Sequence, residues 1–122
     1  DIALLDAEKA IRMFEKVSVP VLGVIENMSL HVCSECGHES HIFGEGGGEL
    51  LAARYGAEVI GHLPLDVSIR HQGDAGTPVV LAAPESHAAR CYRDAAAALV
   101  GQVEQLASTG QQKGPNLHIS DD

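Results

Sequence analysis

The sequence has no tryptophan, few other aromatic residues and little positive charge. It holds 8 lysines and arginines against 17 acidic residues, which gives a formal net charge of −9. The basic residues are scattered along the chain and form no patch. Because nucleic acids and anionic membrane surfaces are bound through clustered positive charge, we expect neither as a partner.

Long apolar runs are missing as well. No apolar run approaches the roughly 20 residues that cross a bilayer, so we expect no membrane-spanning segment. The chain is nevertheless 45% hydrophobic and 20% charged, which is a folding rather than a disordered composition. Its 122 residues suit one domain at most.

Cysteine is scarce, and the three cysteines at positions 33, 36 and 91 are an odd number. A low, odd count does not suggest a disulfide scaffold. In a reducing compartment, a close pair of cysteines more often binds metal or does redox chemistry. We therefore expect a cytoplasmic protein in which the pair at 33 and 36 carries the chemistry.

Hydrophobic spacing and turn residues predict alternating helices and strands. In chain order we expect a helix over 3–16, a buried strand over 19–25, a loop over 26–48, a helix over 49–55 closed by Gly56, a strand over 58–63, a helix over 67–72 capped by Asp66, and a helix from Ser86 to about 107. This order predicts an α/β layered fold with a mainly parallel sheet. We expect residues 1–107 to be ordered and 108–122 to be a disordered polar tail.

Two strands are too few for a sheet with helices on both faces. The helical pattern also begins almost at the first residue. Both observations predict that the chain is part of a larger domain.

The strongest local signal is Cys33-x-x-Cys36 followed by Gly37. Two thiols at this spacing can turn onto one metal, and the glycine lets the backbone fold back beneath them. Thiolates are soft ligands that favour zinc, copper(I) or iron–sulfur clusters. The pair supplies only two of the four ligands that a closed site usually needs.

Three completions of this site remain open. A histidine among His31, His38 and His41 could complete a mononuclear zinc site within one chain. A second chain could add its own pair of cysteines across a two-fold axis. The pair could also bind no metal and cycle as a disulfide.

The other cysteine and histidines carry weaker signals. We expect Cys91, in the middle of the last helix, to be a buried structural thiol. The four remaining histidines should be solvated. They lie at positions 62, 71, 87 and 118.

A glycine-rich run over 42–51 invites a phosphate-loop interpretation, but no Lys-Ser or Lys-Thr follows its glycines. Glu45 and Glu49 would also repel phosphate. We expect a flexible turn that leads into a helix.

Several segments in a fixed order resemble one family, the Mrp/ApbC-type iron–sulfur cluster carrier proteins. The segments lie at 1–7, 19–29, 33–37, 42–47, 61–66, 69–70 and 73–78. The likeness runs from residue 1 to about 107. The resemblance implies the carboxy-terminal part of a P-loop NTPase domain of the deviant Walker A class.

The resemblance also implies a function and its site residues. In that family a 4Fe–4S cluster is carried to apoproteins and is held between two subunits, here on Cys33 and Cys36. Asn27 would face the adenine of bound ATP, with the loop at Pro64 beside it, and ATP would bind with magnesium. The Gly-Lys-rich phosphate loop is not in these residues, so the chain alone should not hydrolyse ATP and no catalytic residue is predicted.

Overall fold

Helices and short strands alternate along residues 2–110, which are the residues that the computed structural model of the chain describes. In chain order they are α1 (Ile2–Lys16), β1 (Val24–Glu26), β2 (His31–Val32), β3 (Glu39–Ser40), α2 (Gly47–Tyr55), β4 (Val59–His62), α3 (Val67–Asp74), α4 (Val79–Ala82) and α5 (His87–Ser108). The alternation confirms the predicted α/β class.

The strands form two small sheets. β1 and β4 are parallel neighbours, with Val24 opposite Val59 and Glu26 opposite His62. β2 and β3 form an antiparallel pair within the segment that separates β1 from α2. Because parallel strands end at the same edge of a sheet, the loops that follow β1 and β4 lie side by side.

The core lies between the parallel strands and the helices. Its buried apolar residues are Ile11, Leu51, Ala52, Leu63, Val79, Ala88, Ala89 and Ala95. α5 packs directly on β4, and a Cβ atom built on Gly61 would lie 2.6 Å from the Cβ of Ala95. Only glycine at this position allows the helix to approach the strand so closely.

Local signals set the ends of three helices as predicted. The Asp66 carboxylate accepts a hydrogen bond from the Ser68 N–H at 2.7 Å at the start of α3. The Ser86 hydroxyl accepts one from the Ala89 N–H at 3.1 Å at the start of α5. Gly56 follows α2 with a left-handed φ of 64°, which is the usual C-cap conformation.

The predicted strand over 19–25 is wrong in length, since β1 (Val24–Glu26) includes only its last two residues and ends one residue beyond it. The Val19 N–H donates instead to the Phe14 carbonyl at 2.9 Å, so the first part of the segment completes the end of α1. The strand is also less buried than predicted, because Ile25 is 42% exposed. Within residues 2–110, β1 has a strand neighbour on one side only.

α5 extends through Ser108, which is one residue into the predicted tail. The rest of that prediction falls largely on residues 111–122, which lie outside the described residues. Within residues 2–110, no helix combines the length and the apolar character needed to cross a membrane.

Candidate metal centre

The two cysteines of the C-x-x-C motif lie in the tight turn that joins β2 to β3. The Cys33 N–H donates to the His38 carbonyl at 2.9 Å, and the Gly37 N–H donates to the Cys33 carbonyl at 2.8 Å. These bonds close the hairpin just above its last strand pair, Val32 with Glu39. The short strands therefore present both thiols on one small, hydrogen-bonded loop.

Gly37 supports this turn through its backbone. Its φ is +71°, and a Cβ placed on it would meet nothing within 4 Å. Glycine is therefore favoured there by conformation and not by lack of space. The predicted role of this glycine is confirmed.

The two thiols differ in environment. Cys33 is half-buried and Cys36 is exposed. Hydrogen bonds from the backbone N–H of Cys36 and then of Glu35 lower the pKa of the Cys33 thiol, with a further contribution from the Cys36 side chain and partial opposition from desolvation. A lowered pKa favours the thiolate, which is the form that binds metal.

Two of the three neighbouring histidines make other contacts. His31 Nδ1 lies 3.1 Å from the Leu65 carbonyl oxygen, and His41 Nδ1 lies 2.8 Å from the Ser29 carbonyl oxygen. Among the described residues, one group of three potential metal ligands has its donor atoms within 4.8 Å of one another. It consists of Glu26, Glu49 and His62 and includes neither cysteine of the motif. In this arrangement, one chain therefore brings two thiols to the centre.

The two residues expected on the adenine side lie in adjacent loops. Asn27 follows β1 and is exposed, while Pro64 follows β4 and is buried. A hydrogen bond of 3.0 Å from the Ser29 N–H to the Leu63 carbonyl ties the two loops together. The Asn27 side-chain oxygen accepts from the Met28 N–H at 2.9 Å.

The glycine-rich run leads into α2 through a left-handed Gly46, which confirms the predicted turn before a helix. The Gly48 backbone packs closely on Glu26, because a Cβ on Gly48 would lie 3.2 Å from the Glu26 Cβ. The run thus brings the first turn of α2 against the end of β1.

A cavity of about 310 Å³ opens where β1, β4 and α2 meet. His62 lies on its wall, with Nδ1 3.1 Å from a Glu26 oxygen and Nε2 3.4 Å from a Glu49 oxygen. His62 was predicted to be merely solvated, and its side chain is indeed 49% exposed, yet a carboxylate lies beside each of its ring nitrogens. No local feature of the sequence indicates this arrangement, because it depends on the parallel register of β1 with β4.

Cys91 does not behave as the buried structural thiol that we expected. It is only partly buried, it lines the same cavity, and its sulfur lies 3.5 Å from His87 Nε2. The two residues are one helical turn apart on α5, where side chains meet. His87 also borders a second cavity of about 550 Å³, which is lined in part by Cys33.

Comparison with protein families places these features in a known context. The family model described as ParA, the NUBPL iron-transfer P-loop NTPase, matches residues 1–100. An iron–sulfur cluster carrier protein of Pseudomonas fragi is 56% identical over 96 residues, covering 79% of this chain and 33% of the relative. A protein of the same description in Escherichia coli K12 is 52% identical over 103 residues, covering 84% of this chain and 28% of the relative. The chain therefore spans about a third or less of the length of these relatives.

The chain is also similar to solved structures, one of which contains a nucleotide. That one is a nucleotide-binding protein of Archaeoglobus fulgidus, in complex with ADP and with cobalt found in it. The two chains are 40% identical, with a TM-score of 0.50, over 57% of this chain and 29% of the other.

Proposed function

We propose that this chain, which belongs to the ParA family of NUBPL iron-transfer P-loop NTPases, carries an iron–sulfur cluster on Cys33 and Cys36 and passes it to apoproteins. Membership of the family confirms the resemblance found in the sequence. The carrier relatives of Pseudomonas fragi and Escherichia coli support the assignment, because they are 56% and 52% identical to this chain over 96 and 103 residues. Transfer itself is proposed for a complete carrier, in which residues 1–107 would form the carboxy-terminal part of the ATPase domain.

The observation that carries the proposal is the C-x-x-C turn. It offers two thiols, one of them exposed and the other with a lowered pKa. A 4Fe–4S cluster is usually held by four thiolates. We propose that a second copy of the chain supplies the other two, so that the cluster bridges a homodimer across a two-fold axis.

Such a bridging cluster suits delivery. Each chain would hold it through two bonds on a small surface hairpin, so a recipient protein could replace one chain's thiolates at a time. The thiols of this chain are free, and a free C-x-x-C pair is consistent with a reducing compartment such as the cytoplasm.

We further propose that ATP binds with magnesium in the complete carrier. The ADP complex of the similar Archaeoglobus protein supports a nucleotide site in the family. Asn27 and Pro64, at the carboxyl edge of the parallel strands, would lie on the adenine side, since ligands of open α/β sheets bind at that edge. The 122 residues contain no Gly-Lys-Ser or Gly-Lys-Thr sequence, so this chain by itself should not hydrolyse ATP.

Anaerobic reconstitution with iron and sulfide tests the cluster proposal. The protein should develop the visible absorption of an iron–sulfur cluster, and Cys33→Ser or Cys36→Ser should abolish it. Cys91→Ser is the matched control and should keep the colour. A colourless protein that binds one zinc ion per chain would favour a zinc-binding interaction module instead.

A further inference from the structure

The cavity of about 310 Å³ between β1, β4 and α2 has an unusual lining. Three glutamates, three histidines and Cys91 contribute to its wall, and no lysine or arginine does. Carboxylates and imidazoles without a lysine or arginine beside them favour the binding of a cation. The cysteines of the C-x-x-C turn do not line it.

Three of these side chains already converge. One donor atom from each of Glu26, Glu49 and His62 lies within 4.8 Å of the others. Bonds from nitrogen or carboxylate oxygen to zinc are about 2.0–2.2 Å long, so two ligands of one ion lie roughly 3–4 Å apart. The 3.4 Å from His62 Nε2 to the Glu49 oxygen fits that range.

Glu26 holds the ring of His62 in place. One of its oxygens lies 3.1 Å from His62 Nδ1, and the other accepts from the Gly48 N–H at 3.4 Å. An ionised carboxylate only accepts hydrogen bonds, so Nδ1 carries the proton and donates it to Glu26. Carboxylates orient metal-binding histidines in the same way.

This arrangement leaves a mismatch at the other ring nitrogen. A neutral imidazole has one N–H, so Nε2 then presents a lone pair to the Glu49 carboxylate. Two acceptors face each other at 3.4 Å unless a cation lies between them. A proton on Nε2 or a metal ion between the two atoms removes this mismatch.

We propose that this cavity binds one divalent first-row transition-metal ion, with His62 Nε2 and Glu49 as ligands and Glu26 as the positioning residue. The mixed nitrogen and oxygen donors suit ions such as Zn²⁺, Fe²⁺ or Co²⁺. His41 lines the same cavity, and the Ser29 carbonyl at 2.8 Å fixes its proton on Nδ1. Its Nε2 could therefore also bind the metal. The site is separate from the thiolate pair and does not depend on a cluster being bound.

The test uses the full chain with Cys33→Ser and Cys36→Ser, so that the thiolate pair cannot bind the probe. Calorimetric titration with Zn²⁺ alone at neutral pH should show one ion per chain. In that background, His62→Ala and Glu49→Gln should each lower the affinity for Zn²⁺ at least about 10-fold. Glu26→Gln should lower it by about 10- to 100-fold, which is the usual effect of losing a carboxylate that orients a metal-binding histidine.

His71→Ala is the matched control, because His71 is exposed on α3 and does not line the cavity. It should leave the affinity unchanged. Glu49 is 54% exposed, so Glu49→Gln should fold normally even if His62→Ala does not. The proposal is overturned if the chain with Cys33→Ser and Cys36→Ser binds no Zn²⁺, or if Glu49→Gln binds it as tightly as the His71→Ala control.

Discussion

Replacing Gly37 by alanine should weaken cluster binding without touching a cluster ligand. Gly37 has a φ of +71°, and its added Cβ would meet nothing within 4 Å. The change therefore acts through backbone conformation alone. The turn that holds Cys33 depends on this conformation, because the Gly37 N–H donates to the Cys33 carbonyl at 2.8 Å.

The expected size follows from two opposing effects. A residue other than glycine in the left-handed region costs about 1–2 kcal/mol, while alanine gains about 0.4–1 kcal/mol by restricting the unfolded chain. The net cost to the turn is about 1 kcal/mol per chain. At roughly 1.4 kcal/mol per factor of ten, a site built from one chain loses about 5-fold in affinity. A site shared by two chains takes the cost twice and loses about 30-fold.

The assay is the fraction of cluster retained against a graded concentration of an iron chelator. Gly37→Asn should lose less than Gly37→Ala, because asparagine tolerates the left-handed conformation. Gly73→Ala is the matched control, since Gly73 lies in α3, has no positive φ and has open space around it. Equal retention in Gly37→Ala and Gly73→Ala would refute the reasoning, and so would a greater loss with asparagine than with alanine.

Three other predictions test the fold, the thiol and the nucleotide site. Gly61→Ala would bring its new Cβ to 2.6 Å from the Ala95 Cβ and should lower the free energy of unfolding, measured by urea titration, by about 1–3 kcal/mol. Adding Ala95→Gly should restore part of that stability. A double variant no more stable than Gly61→Ala alone would contradict this packing. The lowered pKa of Cys33 keeps it a thiolate at a pH where an ordinary thiol is protonated. As the pH is lowered, the rate of Cys33 alkylation should therefore fall at a lower pH in the folded chain than in the chain unfolded by urea. The same pH profile in both states would contradict the lowered pKa. In a complete carrier, Asn27→Ala should weaken ATP binding by about 1 kcal/mol, the worth of one neutral hydrogen bond; unchanged affinity by calorimetry would remove Asn27 from the site.

The features that sequence predicted well are those set by neighbouring residues. Asp66 and Ser86 cap helices through hydrogen bonds that reach only two or three residues along the chain. Gly37 and Gly56 adopt the positive φ that their positions in a turn and a C-cap suggested. The turn at the C-x-x-C motif is also local, but the short strands β2 and β3 that frame it lie in a segment predicted only as a loop.

The features that sequence missed depend on distant partners. The pairing of Glu26 with His62 follows from the register of two parallel strands and spans 36 residues. The start of the predicted strand belongs instead to the end of α1, because Val19 bonds back to that helix, a competition that an apolar run does not show. Cys91 looked like a core residue by its place in an alanine-rich helix, but its face of α5 borders a cavity.

The stoichiometry of the reconstituted protein tests the central claim most directly. Iron, sulfide and protein should be measured together with the mass of the assembly in solution. The bridging arrangement predicts one 4Fe–4S cluster per two chains, a dimer that forms only with the cluster, and loss of both in Cys33→Ser. A monomer with one metal ion per chain, or loss of the cluster in Cys91→Ser, would contradict it.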